Sequence, residues 1–237
     1  VLSFKKGNND IWHKELSAYL AAEVLKILKT EPYNRHMKNI EILNQELLSD
    51  RKYPLKDITY NKPDLHGNLH QQKSEVYFRP DAVAVLLVDL DKKVFLLTRQ
   101  FRMPTYLNGN KSGYILEACA GLIDEGESPE ETAKREVKEE TGYSIDDLNK
   151  VGAIYTSGGG ITEYLHLFIA RLDSAGPHED GGGLEEEGEN IEIVTVSFQQ
   201  AEEELRNGKI NDAKTLMLLQ HYFMYNGITK SQLDLEK

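Results

Sequence analysis

The chain has 237 residues and a mass of 26.9 kDa, room for one large domain or two small ones, and its 40% hydrophobic residues suffice to bury a core. A formal net charge of −11 and a sequence pI near 5.2 speak against nucleic acid as a partner, because phosphate backbones select basic surfaces. The single Cys119 excludes an intrachain disulfide and fits a reducing cytoplasm, and no apolar run approaches the roughly 18 residues that a membrane span needs.

The chain begins at Val1 without an initiator methionine, which leaves room for a native segment or a processed leader ahead of it. Asp10 to Thr30 reads as a helix, with Leu16, Leu20, Val24, Ile27 and Leu28 on one face and Lys14, Glu15, Glu23 and Lys26 elsewhere; Pro32 ends it. Its positive charge is modest, so docking to a core or partner is expected over membrane binding. Three strands follow, at Ile40–Leu48, Leu55–Tyr60 and Ser74–Phe78, with turn chemistry at Pro63-Asp64 and Gly67-Asn68. Three strands this small cannot bury a core alone. Ile40, Ile42, Leu47, Leu55 and Ile58 therefore call for a partner surface.

From Pro80 the strands become more apolar: Ala82–Val88, Val94–Arg99, Tyr114–Cys119, Val151–Thr156, Tyr164–Ala170 and Ile191–Val196. They alternate with helices expected at about 129 to 141, 198 to 207 and 212 to 225, the last capped by Asp212. Strands with flanking helices predict an α/β/α sandwich around a mixed sheet. The expected division is a helical extension over 1–36, a small antiparallel sheet over 37–78 and a larger domain over 79–237. The stretch from Gly181 to Gly183 into Glu185–Glu189 reads as a mobile loop.

The helix at 129 to 141 carries the chemistry. Ser128 with Glu131 forms a capping box, Pro129 sits where its missing N–H costs nothing, and Gly142 can take the left-handed conformation that closes the helix. Glu136, Glu139 and Glu140 stand at i, i+3 and i+4 and share one arc beside the apolar stripe of Ala133 and Val137. Like charges at this spacing oppose the helix by a few tenths of a kcal/mol per pair. A divalent cation removes that penalty, and carboxylate oxygens suit Mg²⁺ or Mn²⁺. Three glutamates alone describe a solvated acidic face equally well.

The whole segment decides between these. From Gly121 to Tyr143 it reads GLIDEGESPEETAKREVKEETGY, and it resembles the Nudix box, G-x5-E-x7-R-E-U-x-E-E-x-G-U with U a bulky apolar residue. Every fixed letter is matched, and Tyr143 stands at the final apolar position. The resemblance extends over roughly residues 38–225, through RQFRMPTYLNGNKSGYILEACAG, YTSGGGITEYLHLFIA and GGGLEEEGENIEIV, to the nucleoside diphosphate sugar branch of the Nudix hydrolases. One loop of that branch usually reads S-P-G-G, and here Gly158 occupies the proline position.

The resemblance implies metal-dependent hydrolysis of a nucleoside diphosphate sugar, GDP-mannose to GMP and mannose 1-phosphate, with ADP-ribose as the alternative substrate. A ligand-sensing module without turnover is the reading from another class. By resemblance, Glu136, Glu140 and the Ala120 carbonyl hold two or three Mg²⁺ or Mn²⁺ ions, with Glu139 ligating or assisting and Glu127 and Arg135 in support. Glu187 is expected as the catalytic base and Glu189 as a transient ligand, with Glu185 and Glu186 as neighbouring candidates. Arg79 and Arg102 are placed on the diphosphate, Glu163 on sugar hydroxyls and Tyr106 against the base. A cytoplasmic homodimer joined through the N-terminal sheet is implied, with no nucleic acid and no membrane.

Overall fold

The computed structural model describes residues 40–172, 176–177, 181–183 and 190–226. The expected helix at Asp10–Thr30 and the residues Glu185, Glu186, Glu187 and Glu189 lie outside them. The described chain divides into two compact units, one of residues 40–46 and 57–74, the other of residues 47–56 and 75–226.

Three strands form the small sheet, β1 (Glu41–Ser49), β2 (Leu55–Pro63) and β3 (Leu69–Tyr77), in the order β1-β2-β3. Connections this short join antiparallel neighbours. In the first unit, the Asp64 carboxylate builds the β2–β3 turn by accepting from the His66 amide at 2.8 Å, the Asn68 amide at 2.9 Å and the Asn68 side chain at 3.1 Å. The His70 ring, 3.0 Å from Asp64 Oδ2, and these bonds hold the Asp64 carboxyl well below the usual carboxylate range.

The larger unit is an α/β/α sandwich. Its seven-stranded sheet runs β10 (Glu192–Ser197), β5 (Val94–Phe101), β4 (Ala82–Asp89), β9 (Tyr164–Arg171), β8 (Leu148–Tyr155). All eight residues of β4 are buried, as a strand covered on both faces requires. Alternation divides them: Ala84, Leu86 and Val88 join Phe95, Leu167 and Leu218 in one core, while Val83, Val85 and Leu87 join Phe168, Ala133 and Val137 in the other. Helices α3 (Phe198–Arg206) and α4 (Ala213–Asn226) cover the first face. Helix α2 (Pro129–Thr141) covers the second; α1 (Met103–Leu107) is a short turn after β5.

The run expected as one strand at Tyr114–Cys119 is two. β6 (Tyr114–Glu117) pairs with β5 and β7 (Cys119–Leu122) pairs with β4, with Ala118 between them. β4 and β5 pair only over Leu87–Asp89 and Val94–Leu96. Beyond that point they part, and the 114–122 run fills the gap as a two-limbed wedge. Register then fixes where the site lies. β4 and β9 are parallel, with Ala82 opposite Leu165, and antiparallel β7 brings Leu122 opposite the same Ala82. Arg79, Glu163 and Gly121 therefore gather at one end of the sheet, and antiparallel β5 runs toward that end to Arg102.

Asp89 closes the β4–β5 turn. Its Oδ1 accepts from the Lys92 amide at 2.9 Å and the Asp91 amide at 3.1 Å, and Lys92 Nζ lies 3.0 Å from Oδ2. The Lys92 amide, more than any other group, holds the Asp89 carboxyl below its ordinary value of 3.8. A carboxyl depressed on folding contributes stability that is full above that ordinary value and fades as pH falls through the depressed one. Thermal melts from neutral pH down to about pH 3 should show a smaller acid-dependent loss in Asp89→Asn than in the wild type. An equal or steeper loss in the variant would remove Asp89 from the acid response.

Candidate active site

Helix α2 starts and stops where its sequence dictates. Ser128 Oγ accepts from the Glu131 amide at 3.3 Å while the Glu131 carboxylate accepts from the Ser128 amide at 2.8 Å, which completes the capping box. Gly142 ends the helix at φ 74°, and its amide donates to Lys138 O at 2.9 Å. Ala133 and Val137 are fully buried against the sheet, which fixes the rotation of the helix. Glu140 is buried at 3% exposure, deeper than an edge position, whereas Glu136 and Glu139 are half-buried.

Glu136 and Glu140 both reach the Ala120–Gly121 backbone of β7. Glu140 Oε2 accepts from the Ala120 amide at 3.3 Å. A Cβ on Gly121 would stand 1.8 Å from Glu136 Cδ, so the carboxylate fills the space that a side chain would need. Arg135 binds the remaining acids together. Its Nε donates to Glu127 Oε1 at 3.0 Å, its Nη1 to Glu136 Oε1 at 2.8 Å and Glu139 Oε2 at 3.0 Å, and its Nη2 to Leu122 O at 3.1 Å. Glu127 also accepts from the Thr132 hydroxyl at 2.7 Å. Arg135, and after it Thr132, hold the Glu127 carboxyl down at about 2, and Glu127 in turn pushes the Arg135 guanidinium above its ordinary range.

This donor set fits a hard divalent cation. Its members are oxygen donors, two carboxylates meet at one backbone step, and three glutamates, Glu127, Glu136 and Glu139, bind one guanidinium. Among the described residues no three acidic or histidine side chains converge as a ready metal cluster. A cation held here would complete its shell with water and substrate phosphate oxygens, as Mg²⁺ commonly does.

The second group of residues forms where β4 and β9 begin. Arg79 Nη1 lies 3.3 Å from Glu163 Oε2, and Glu163 Oε1 accepts from the Thr156 hydroxyl at 3.0 Å. Thr162 Oγ1 accepts from the Arg79 amide and donates to the Arg79 carbonyl, both at 2.9 Å. The Tyr53 ring centroid stands 5.6 Å from Arg79 Cζ. Arg79 Nε is buried and has no hydrogen-bond partner among the described residues. Thr156, Thr162 and Tyr53 carry no signal in the sequence, because only the fold brings Thr156 to Glu163 and Thr162 and Tyr53 to Arg79. Arg102 pairs through Nε with Glu117 Oε2 at 2.8 Å. Tyr106 is 50% exposed on α1, its ring 6.2 Å from that of Phe101.

The triple glycine is seated on the end of the box helix. The Gly182 amide donates to Glu140 O at 2.8 Å and the Gly183 amide to Glu139 O at 3.2 Å, so both orphan carbonyls are satisfied. A Cβ on Gly181 would lie 2.6 Å from Glu140 O and from Thr141 C.

Comparison with known proteins gives a consistent answer. The sequence profile of the NUDIX domain matches residues 78–219. GDP-mannose pyrophosphatase of Cronobacter sakazakii is 45% identical over 183 residues, 77% of this chain and 94% of that protein. The protein of the same name from Pectobacterium atrosepticum is 44% identical over 182 residues, 77% of this chain and 93% of its own length. A solved structure described as an ADP compounds hydrolase superposes with a TM-score of 0.61 at 23% identity, over 81% of this chain and 98% of that one, and so shares the fold. With the box helix, its carboxylates and the sandwich all in place, the profile match over more than half of the chain shows that it belongs to the Nudix hydrolase family.

Proposed function

We propose that this enzyme hydrolyses the diphosphate bond of a nucleoside diphosphate sugar, GDP-mannose first, to give GMP and mannose 1-phosphate. Identity of 40–45% with relatives named GDP-mannose pyrophosphatase, over 93–96% of their length, carries this reading. The site's chemistry supports it. Two or three Mg²⁺ or Mn²⁺ ions, when bound, lower the pKa of the attacking water and neutralise the diphosphate. Glu136, Glu140 and the Ala120 carbonyl hold them, Glu139 and Glu189 assist, and Arg135 with Glu127 keeps the carboxylates in place. Arg79 and Arg102 bind the phosphate oxygens, and the buried, unpartnered Arg79 Nε suits a ligand acceptor. Glu163 accepts from sugar hydroxyls, Tyr106 stacks on the base, and Glu187 takes the proton of the attacking water.

The same proposal includes a cytoplasmic homodimer with no nucleic acid or membrane partner. β1 is exposed along nearly its whole length, with Ile42 at 58% and Leu47 at 54%, and Ile40 just before it is at 65%. A two-fold partner would cover this apolar strand. No described helix is long and apolar enough to cross a membrane.

The test is a panel of GDP-mannose, ADP-ribose and a nucleoside triphosphate with Mg²⁺, scored by phosphate monoester release, with light scattering on the same preparation. The highest kcat/KM is expected on GDP-mannose, from a dimer. A preference for ADP-ribose would reassign the substrate. Tight binding without turnover on any of them would turn the enzyme into a sensor, and a fully active monomer would remove the shared interface.

A further inference from the structure

A lysine in the first turn of a helix opposes the positive end of the helix dipole, and burying its charge costs more. Lys214 has both disadvantages: it is the second residue of α4, and its side chain is only 14% exposed. Glu117, 4% exposed, accepts from Lys214 Nζ through Oε1, and Asp212 Oδ1 accepts from the same Nζ at 2.9 Å. Asp212 is also bound to the helix end, its Oδ2 accepting from the Thr215 amide at 3.0 Å and from the Thr215 hydroxyl at 2.6 Å. That hydroxyl accepts from the Ala118 amide at 2.6 Å, which ties α4 to the apex of the wedge.

Arg102 completes the set, with Nε on Glu117 Oε2. It is the member that reaches solvent, 41% exposed, and its two terminal nitrogens donate to no other described residue. Stability alone gives no reason for such a network, since buried ion pairs are often no better than apolar residues of equal volume. Charge balance gives one. The N-terminus of α4 compensates Asp212, so Glu117 is shared by two cations, and Arg102, Glu117 and Lys214 together keep one positive charge. With Glu117 alone beside it, Arg102 would be neutralised.

Resting on the reading of Arg102 as a phosphate-binding arginine, we propose that Glu117 and Lys214 are its positioning residues. Glu117 holds the guanidinium by Nε and leaves the Nη1/Nη2 edge for two oxygens of an anionic diphosphate, the geometry in which arginine binds phosphate best. Lys214 offsets the Glu117 charge, so the positive field of Arg102 survives the pairing. The wedge that carries Glu117 continues three residues on to Ala120, so one short segment serves both the arginine and the carboxylate ends of the site.

A double-mutant cycle on the full chain, with Mg²⁺ and GDP-mannose, tests this with Lys214→Met against Arg102→Ala. Lys214→Met should raise KM by about tenfold, the scale of one charge-assisted hydrogen bond, with kcat changed by less than about twofold. Lys214→Arg should restore KM, and in the Arg102→Ala background Lys214→Met should add nothing. Equal KM increases in both backgrounds would make Lys214 merely structural and overturn the proposal while Arg102 keeps its role. An unchanged KM in Arg102→Ala would remove the phosphate-binding reading itself, and the positioning claim with it. NMR of the Arg102 Nε–H gives a readout without substrate: slow solvent exchange is expected in the wild type and fast exchange in Glu117→Gln. Fast exchange in the wild type would overturn the pairing. Should Lys214→Met be insoluble, the Glu117→Gln/Lys214→Met double variant, which removes both buried charges together, takes its place in the cycle: Arg102 keeps its charge there and loses only its Glu117 anchor, so a smaller rise in KM is expected, and an equal rise in the Arg102→Ala background would overturn the proposal.

Discussion

Glu140→Gln is expected to lower Mg²⁺-dependent turnover by more than about 10²-fold, beyond the usual loss for changing a group that only supports a ligand, while the fold stays intact. Glu140 is buried at 3% exposure, and its Oε2 accepts from the Ala120 amide. Glutamine keeps the volume and one acceptor, so that backbone contact can persist. What it loses is the charge that would hold a cation at the Ala120–Gly121 step. Glu136→Gln should have a similar effect on turnover, with the added loss of the charge-assisted bond from Arg135 Nη1. Steady-state rates across a Mg²⁺ titration, with circular dichroism on each variant, decide the matter. Near-normal rates in both variants, or wild-type activity that persists in excess EDTA, would sink the metal assignment.

The features legible in the sequence were those set by local chemistry. The capping box, Pro129 and Gly142 fix the ends of α2 within a few residues of chain, and the structure has the helix at Pro129–Thr141 as expected. β4 was legible for a similar reason, because a strand buried on both faces is a continuous apolar run. β3 was not. It begins at Leu69, five residues before the expected start at Ser74, since His70 to Lys73 are polar and exposed on both faces and leave no alternation to read. The break at Ala118 was hidden because Ile115–Ala120 has no glycine or proline in it. The parting of β4 and β5 imposes that break from outside. α1 was missed because five residues with no side-chain cap carry little periodic signal.

The site divides in the same way. Glu136, Glu139, Glu140 and Arg135 share one helix; spacing grouped the three glutamates, and the resemblance to the Nudix box added Arg135 and Glu127. Arg79 and Glu163 are 84 positions apart, and Glu117 and Lys214 are 97 apart. Only strand register and helix docking bring each pair together. Their partnership is a tertiary fact, although each residue can be flagged singly. The triple glycine shows the limit of composition: it reads as a mobile loop, yet its amides cap the carbonyls of Glu139 and Glu140. Glycine there serves close approach of backbone to backbone.

Gly121→Ala and Gly181→Ala should therefore fail in opposite ways. At Gly121 the three atoms nearest the new Cβ all belong to Glu136, Cδ at 1.8 Å, Oε1 at 1.9 Å and Oε2 at 2.3 Å. Those atoms are the far end of a flexible side chain, so the carboxylate can swing aside at small cost to the fold. The displaced carboxylate would leave the place from which the proposed metal site needs it to act, and kcat should fall by about 10²-fold with Tm nearly unchanged. At Gly181 the obstacles are backbone atoms, Glu140 O and Thr141 C at 2.6 Å and Thr141 Cα at 2.8 Å. Neither side can yield without moving the end of α2 or undocking the glycine segment. Overpacking of this kind costs about 1–3 kcal/mol, which in a chain of this size lowers Tm by roughly 3–10 °C. Calorimetry and steady-state kinetics on the two variants separate the cases. A large Tm loss in Gly121→Ala would show that the glycine is there for packing, and a wild-type kcat in that variant would show that Glu136 does not act from the position it holds over the box glycine.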